Sequence, residues 1–276
     1  MGVGKRNFVA RFICFWLVFW FWGIGAIQAA SLADRVAIFP QWESKPALQS
    51  AEGDLAYPDW FKGTWKMTST LVELVAPLAP EIVTPGFESN RQYLNQPIAT
   101  QVRFVPANAL APRGAGLPLS FPLKSLVKSP IVADRRFNGL NLARAYLGDR
   151  AVLSVTVDPS SPNRQITTLP EGRELISVVV GRAVEAPNSD QFITTELFQQ
   201  VFRGMPQPYL NQVETTTAYY HQPTESSSIT AEQMTAIYLS PQDPLFFKSK
   251  GDLTQTVGDR PIALYRYRLE LTHEIP

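Results

Sequence analysis

The sequence predicts a mainly β protein built on one antiparallel sheet, closed as a barrel or folded as a sandwich. Three observations carry that expectation. Short stretches rich in Val, Ile, Thr and aromatic residues recur along the chain, the composition that suits a pleated surface. Clusters of turn formers separate them. The 23 prolines among 276 residues leave little room for long helices.

The chain opens with Lys5, Arg6 and Arg11 and no acidic residue. An apolar run follows from Phe12 to about Ile27 and ends in the small residues Gly25-Ala26-Ile27-Gln28-Ala29-Ala30. That order is the pattern of a secretory signal, so residues 1–29 are assigned to it, with cleavage after Ala29. An uncleaved anchor is the competing reading, because the run is just short of the ~17–25 residues that span a bilayer. Cys14, the only cysteine, lies in this run, so the mature chain has neither disulfide nor thiol chemistry. Removing the signal leaves 22 cations against 24 acids, a net charge of about −2. That balance gives no electrostatic footprint for nucleic acid.

Residues 30–60 read as a polar, proline-punctuated, irregular lead-in containing Phe39, Trp42, Tyr57 and Trp60. Such a segment has few ways to make its own core. Its aromatics are expected to lie against the domain that follows, residues 61–276, or to contact something outside it. Within that domain, Trp65–Val75 and Ile98–Val105 alternate with period two, the second placing Ile98, Val102 and Phe104 on one face. Ala151–Val157 stops at Asp158-Pro159-Ser160-Ser161-Pro162-Asn163, and Arg164–Leu169 pairs back across that turn as a hairpin. Leu175–Val184, Val213–Tyr220, Met234–Leu239 and Ile262–Leu271 complete the strands.

Two segments depart from this pattern. Asn138–Leu147, closed by Gly148, reads as a short capped helix. Thr194–Arg203 places Leu197, Phe198, Val201 and Phe202 at helical spacing but fits a strand equally. Pro106–Pro130 reads as a long irregular loop. No linker divides the chain.

Phe61-Lys62-Gly63-Thr64-Trp65, entering a strand, resembles the opening of the calycins, the superfamily of lipocalins and fatty-acid-binding proteins. The resemblance implies a single antiparallel calycin-like barrel with Trp65 plugging one end and Gly63 permitting the tight entry. It also implies that an arginine of the last strand, Arg266 or Arg268, packs across that indole. The Arg-x-Tyr order by which fatty-acid carriers hold a carboxylate is absent, since Arg266 is followed by Arg268. The wider chain resembles a family of uncharacterised exported proteins of cyanobacteria and chloroplasts. The residues that carry it include Leu32-Ala33-Asp34-Arg35, Phe39-Pro40-Gln41-Trp42, Asp134-Arg135-Arg136-Phe137-Asn138-Gly139 and Val213-Glu214-Thr215-Thr216-Thr217. That resemblance implies location, the thylakoid lumen or periplasm, and not activity.

The catalytic inventory is thin. His221 and His273 are the only histidines, and no paired-histidine metal motif, nucleophile elbow or phosphate loop is present. No catalytic residue, metal site or haem ligand set is therefore assigned. The densest cationic region is Asp134-Arg135-Arg136 with Arg144 and Arg150. It reads either as a solvated loop with local ion pairs or as the candidate ligand site Arg135, Arg136 and Phe137, where Arg135 and Phe137 share a strand face pairing a cationic head contact with an apolar wall. The reading favoured is a non-catalytic binder of an apolar small molecule, a lipid or pigment. The alternative is an assembly or structural factor for a photosynthetic membrane complex, using Trp42, Tyr57 and Trp60 as contacts.

Overall fold

The computed structural model describes residues 31–110, 129–223, 228–247 and 257–274, all within the unit Ser31–Pro276. The signal expected over residues 1–29 lies outside the described residues, as does most of the Pro106–Pro130 loop. The strands are β1 (Gln49–Ser50), β2 (Gly63–Val75), β3 (Pro97–Pro106), β4 (Ile131–Ala133), β5 (Ser154–Asp158), β6 (Ser161–Thr168), β7 (Glu174–Asn188), β8 (Gln191–Arg203), β9 (Tyr209–Gln222), β10 (Ser228–Leu239) and β11 (Ala263–His273). Among the described residues two α-helices accompany them, α1 (Leu32–Ala37) and α2 (Arg135–Leu147). No helix among the described residues is long and apolar enough to cross a membrane.

All the strands join one antiparallel sheet. β5 to β11 run as an up-and-down meander, and β11 returns beside β2, which leads out through β3 to β4. The first and last long strands are therefore neighbours. The sheet curls into a half-barrel. Phe104 on β3 and Ile131 on β4 share a core cluster with Phe192 on β8, which strands so distant in the sheet achieve only across a concave face. Among the described residues the sheet's two ends, β4 and β5, do not pair with each other. Helix α2 packs against β3 on one side and against β5 and β6 on the other. It spans the opening.

The strands expected from alternation are present, and the ambiguous 194–203 segment is part of β8. Its helical spacing has a physical cause. Both faces of the sheet are covered here, so apolar side chains are wanted on consecutive positions: Leu197 faces outward, while Phe198 faces the concave side.

The lead-in covers that outer face. Ser31 and Asp34 form a reciprocal capping box at the start of α1, a device that satisfies two orphan amides at once. Leu32 then packs with Ile193 of β8 and Ala218 of β9. Phe39 and Trp42 pack with Met234, Ala236, Tyr238 and Leu264. Arg35 donates from Nε and Nη2 to the two oxygens of the fully buried Glu214 carboxylate, each at 2.7 Å. Tyr238 Oη and Thr216 Oγ1 donate to the same carboxylate at 2.7 and 2.9 Å.

Helix α2 begins earlier than the sequence suggests. Asp134 is its N-cap, and its Oδ1 accepts from the Phe137 amide at 3.1 Å. Gly148 ends it with φ of 90°, a conformation glycine adopts without steric cost. Arg135 and Phe137 are thus in the first turn of a helix. The strand face that would pair them does not exist, because the Asp134 cap supplies a stronger local signal than the Arg-x-Phe alternation.

Candidate functional site

The concave face has a filled end and an open end. The filled end holds Phe61, Trp65, Phe104, Phe192, Leu269 and Leu271, all buried. Trp65 is 1 % exposed and donates its indole Nε1 to the Phe61 carbonyl at 2.7 Å. It lies on β2 next to β11, as the Gly-x-Trp opening implies. The residue against it is not an arginine. Register places His273 opposite Trp65, with the rings edge-to-face at 4.9 Å. Arg266 and Arg268 lie further along β11, opposite Glu73 and Thr70, and Arg266 bonds Glu232 at 2.9 Å. The expected arginine–indole stack is thereby corrected: the arginines alternate with Tyr265, Tyr267 and Leu269, so they occupy the outer face. Gly63 has φ of 132°, and a Cβ there would sit 2.5 Å from His273 Nε2, so the chain enters β2 only with glycine.

A charged layer separates the two ends. Arg135 donates Nε to Asp54 at 2.9 Å and Nη2 to Glu196 at 3.0 Å. Arg182 donates to the same Glu196 at 2.7 Å and to Asn163 at 2.9 Å. Two guanidinium groups thus meet two carboxylates, and the layer is neutral. Burial works against the charge on Arg135, but Glu196 and Asp54 outweigh it and hold its pKa above the ordinary value. Arg136 is exposed. Phe137 lies under the Arg103 guanidinium, 4.2 Å from the ring centroid, and Arg103 bonds Asp134 at 2.6 Å.

Four phenols near these buried layers resist ionisation. Burial pushes Tyr219 up to about 12. Burial also raises Tyr57, reinforced by Tyr219 and Glu196, and raises Tyr238, reinforced by Glu214, and Tyr267, reinforced by Tyr146. A phenol with a raised folded pKa contributes stability that is present below about 10 and lost as pH climbs through the folded value. The protein is therefore expected to hold its stability to about pH 10 and to lose it progressively above. Absorbance at tyrosinate wavelengths, followed with pH, should show a late group of tyrosines that ionises together with loss of the fold. Smooth titration of all the tyrosines near their ordinary value, with the fold intact, would contradict this.

Beyond the charged layer lies a cleft of about 450 Å³ between α2 and the concave face of β6 to β9. Its walls are Leu142 and Leu147 of α2 with Leu175, Val179, Phe198 and Phe202 of the sheet. Leu142 and Leu147 are 41 % and 57 % exposed, so the mouth is apolar. Arg135 stands at one boundary. Pairing register resolves the floor into rows. Thr167, Leu175 and Phe202 form one, and Gln165, Ser177 and Gln200 the next. Val179, Phe198 and Val213 form a third. An uncharged polar row thus lies between two largely apolar ones. Two hollows of similar size, beside Gln49 and Glu52 and beside Lys66 and Asp149, have small or polar linings and lack such walls.

Of the residues singled out from the sequence, Gly63 and Trp65 meet at the filled end, and Arg135 borders the cleft. Arg136, Arg266 and Arg268 do not line it. Sequence reasoning missed Asp54 and Glu196, which balance Arg135, Arg182, which shares Glu196, and the whole polar row. No group of His, Cys, Asp and Glu among the described residues is arranged to hold a metal.

Residues 49–275 match a family model described as Domain of unknown function (DUF6816). No curated protein and no solved structure matches the chain.

Proposed function

We propose that this chain, which belongs to the DUF6816 family, is a non-catalytic exported binding protein for an apolar small molecule, a lipid or a pigment. The observation that carries the reading is the cleft beneath α2. Its volume falls within the ~300–1,000 Å³ of small-molecule sites, and like them it combines apolar walls with a few polar groups. The half-barrel, with its first and last long strands adjacent, is a calycin-like container in which α2 takes the place of the missing wall. Export to the thylakoid lumen or periplasm follows from the signal-like opening and from the resemblance to exported cyanobacterial and chloroplast proteins.

The assembly-factor reading relied on lead-in aromatics free to touch a partner. Trp42 is 3 % exposed. Tyr57 packs on Phe61 and Phe104, and Trp60 stacks between Phe61 and His221 while donating to the Ser189 carbonyl. These side chains are engaged within the fold, which favours binding over assembly.

Nile red, a neutral apolar dye, is expected to bind saturably at one site per chain with a rise in emission. Ser177→Trp, which places an indole on the cleft floor, should abolish that binding while leaving circular dichroism and the melting temperature close to wild type. Equal binding by a folded Ser177→Trp variant would remove the cleft as the site. Intrinsic fluorescence is a poor readout, because Trp65 lies in the filled end and not on the cleft floor.

A further inference from the structure

We infer that the ligand of this cleft is an uncharged amphiphile: a hydrocarbon chain bearing ester or hydroxyl oxygens that hydrogen-bond the row Gln165–Ser177–Gln200. The inference rests on the cleft being a binding site and adds the chemistry of what it selects.

Charge is the first argument. Arg135 is the one charged side chain among the described residues lining the cleft, and its guanidinium is already committed to Asp54 and Glu196. Glu196 is shared with Arg182. An arriving carboxylate would therefore meet a balanced layer in which Glu196 opposes it. It would also lose its own hydration without a new cation, a cost that burial of an unpaired charge makes large.

Unused hydrogen-bonding capacity is the second. Gln200 donates from Nε2 to Ser177 Oγ at a long 3.4 Å, and its carbonyl oxygen has no partner among the described residues. The Gln165 amide has none either. Its position is set by Gly139 of α2, where an added Cβ would lie 2.9 Å from both polar atoms of that amide. The helix thus leaves a notch in which Gln165 can approach the cleft. A ligand hydroxyl or ester oxygen bonded to Gln200 or Gln165 offers these amides donors and acceptors that the apolar walls cannot.

Geometry is the third. The row runs across the strands with apolar rows on both sides. A ligand whose polar group sits on the row can lay its hydrocarbon along Phe198 and Val179 or along Leu175 and Phe202, and leave by the Leu142–Leu147 mouth.

Displacement of Nile red by monodecanoylglycerol, decanoate and decane tests this. Monodecanoylglycerol should displace at a lower concentration than decanoate. The double variant Gln165→Leu with Gln200→Leu should weaken monodecanoylglycerol about tenfold, or about 1.4 kcal/mol, and leave decane unchanged or tighter. Tighter binding of decanoate than of its glycerol ester would overturn the inference, as would equal weakening of the ester and decane by the double variant. Nile red binding that none of the three displaces would also overturn it. Absence of saturable Nile red binding to the wild type is the separate result that sinks the cleft reading itself.

Discussion

Replacing Glu214 with alanine is expected to destabilise the protein by about 3–5 kcal/mol, the scale for breaking a buried ion pair from one side. Glu214 is fully buried and its carboxylate receives bonds from Arg35, Tyr238 and Thr216. Thr216 is bonded in turn to Thr195 at 2.8 Å, so one carboxylate ties α1 to three central strands. Its loss strands the Arg35 guanidinium, which is 9 % exposed and stacked 3.9 Å over the Trp42 ring. The lead-in should loosen first, because Trp42 depends on the same element: its Nε1 donates to the Arg35 carbonyl. Denaturant titration should show a lower midpoint, and limited proteolysis should cut between residues 31 and 48 in the variant before the wild type. Arg35→Met combined with Glu214→Leu should cost much less than Glu214→Ala, since neither charge is then left alone. A midpoint unmoved by Glu214→Ala would show that the pair is solvated in solution and that the lead-in is held by its apolar contacts.

Most strands were legible because their alternation matches a sheet with one apolar face. Ile98, Val102 and Phe104 read correctly for that reason, as did the hairpin across Pro159–Pro162. Where both faces are covered, the alternation fails: Leu197 lies outward opposite Gly181, which Leu48 of the lead-in approaches, while Phe198 and Phe202 line the cleft. The start of α2 was mistaken for a related reason. Arg135-Arg136-Phe137 has a period-two appearance, and the Asp134 cap three residues before the Phe137 amide outweighs it. The candidate site was legible only through Arg135. Its carboxylate partners come from positions 54 and 196 and the guanidinium that shares Glu196 from position 182, and no local spacing brings these together. The row Gln165–Ser177–Gln200 depends on register across three strands, which hydrophobic pattern sets for faces but not for which polar residues stand opposite one another.

Trp65→Ala should also cost about 3–5 kcal/mol, the range for truncating a fully buried aromatic side chain. The indole fills the closed end of the half-barrel, and around it Phe61, Val102, Phe104, Leu269 and Leu271 leave no path by which the sheet can collapse into the vacated volume. The indole N–H bond to the Phe61 carbonyl is lost as well, and that carbonyl belongs to the short helical turn, Asp59–Phe61, that enters β2. Trp65→Phe keeps most of the volume and loses the hydrogen bond, so its cost should fall well below that of alanine. His273→Ala probes the other side of the ring: His273 is exposed on one side and edge-on to Trp65, so the expected loss is about 1 kcal/mol, the value of one aromatic contact. The binding cleft lies beyond the charged layer of Arg135 and Glu196, so Trp65→Phe should leave Nile red affinity unchanged. The order Ala, then Phe, then the histidine variant, read from denaturation midpoints, is the expected outcome. A Trp65→Ala variant as stable as wild type would mean the closed end is not packed in solution. A Trp65→Phe variant that lost the dye would place the bound molecule at the closed end and not beneath α2.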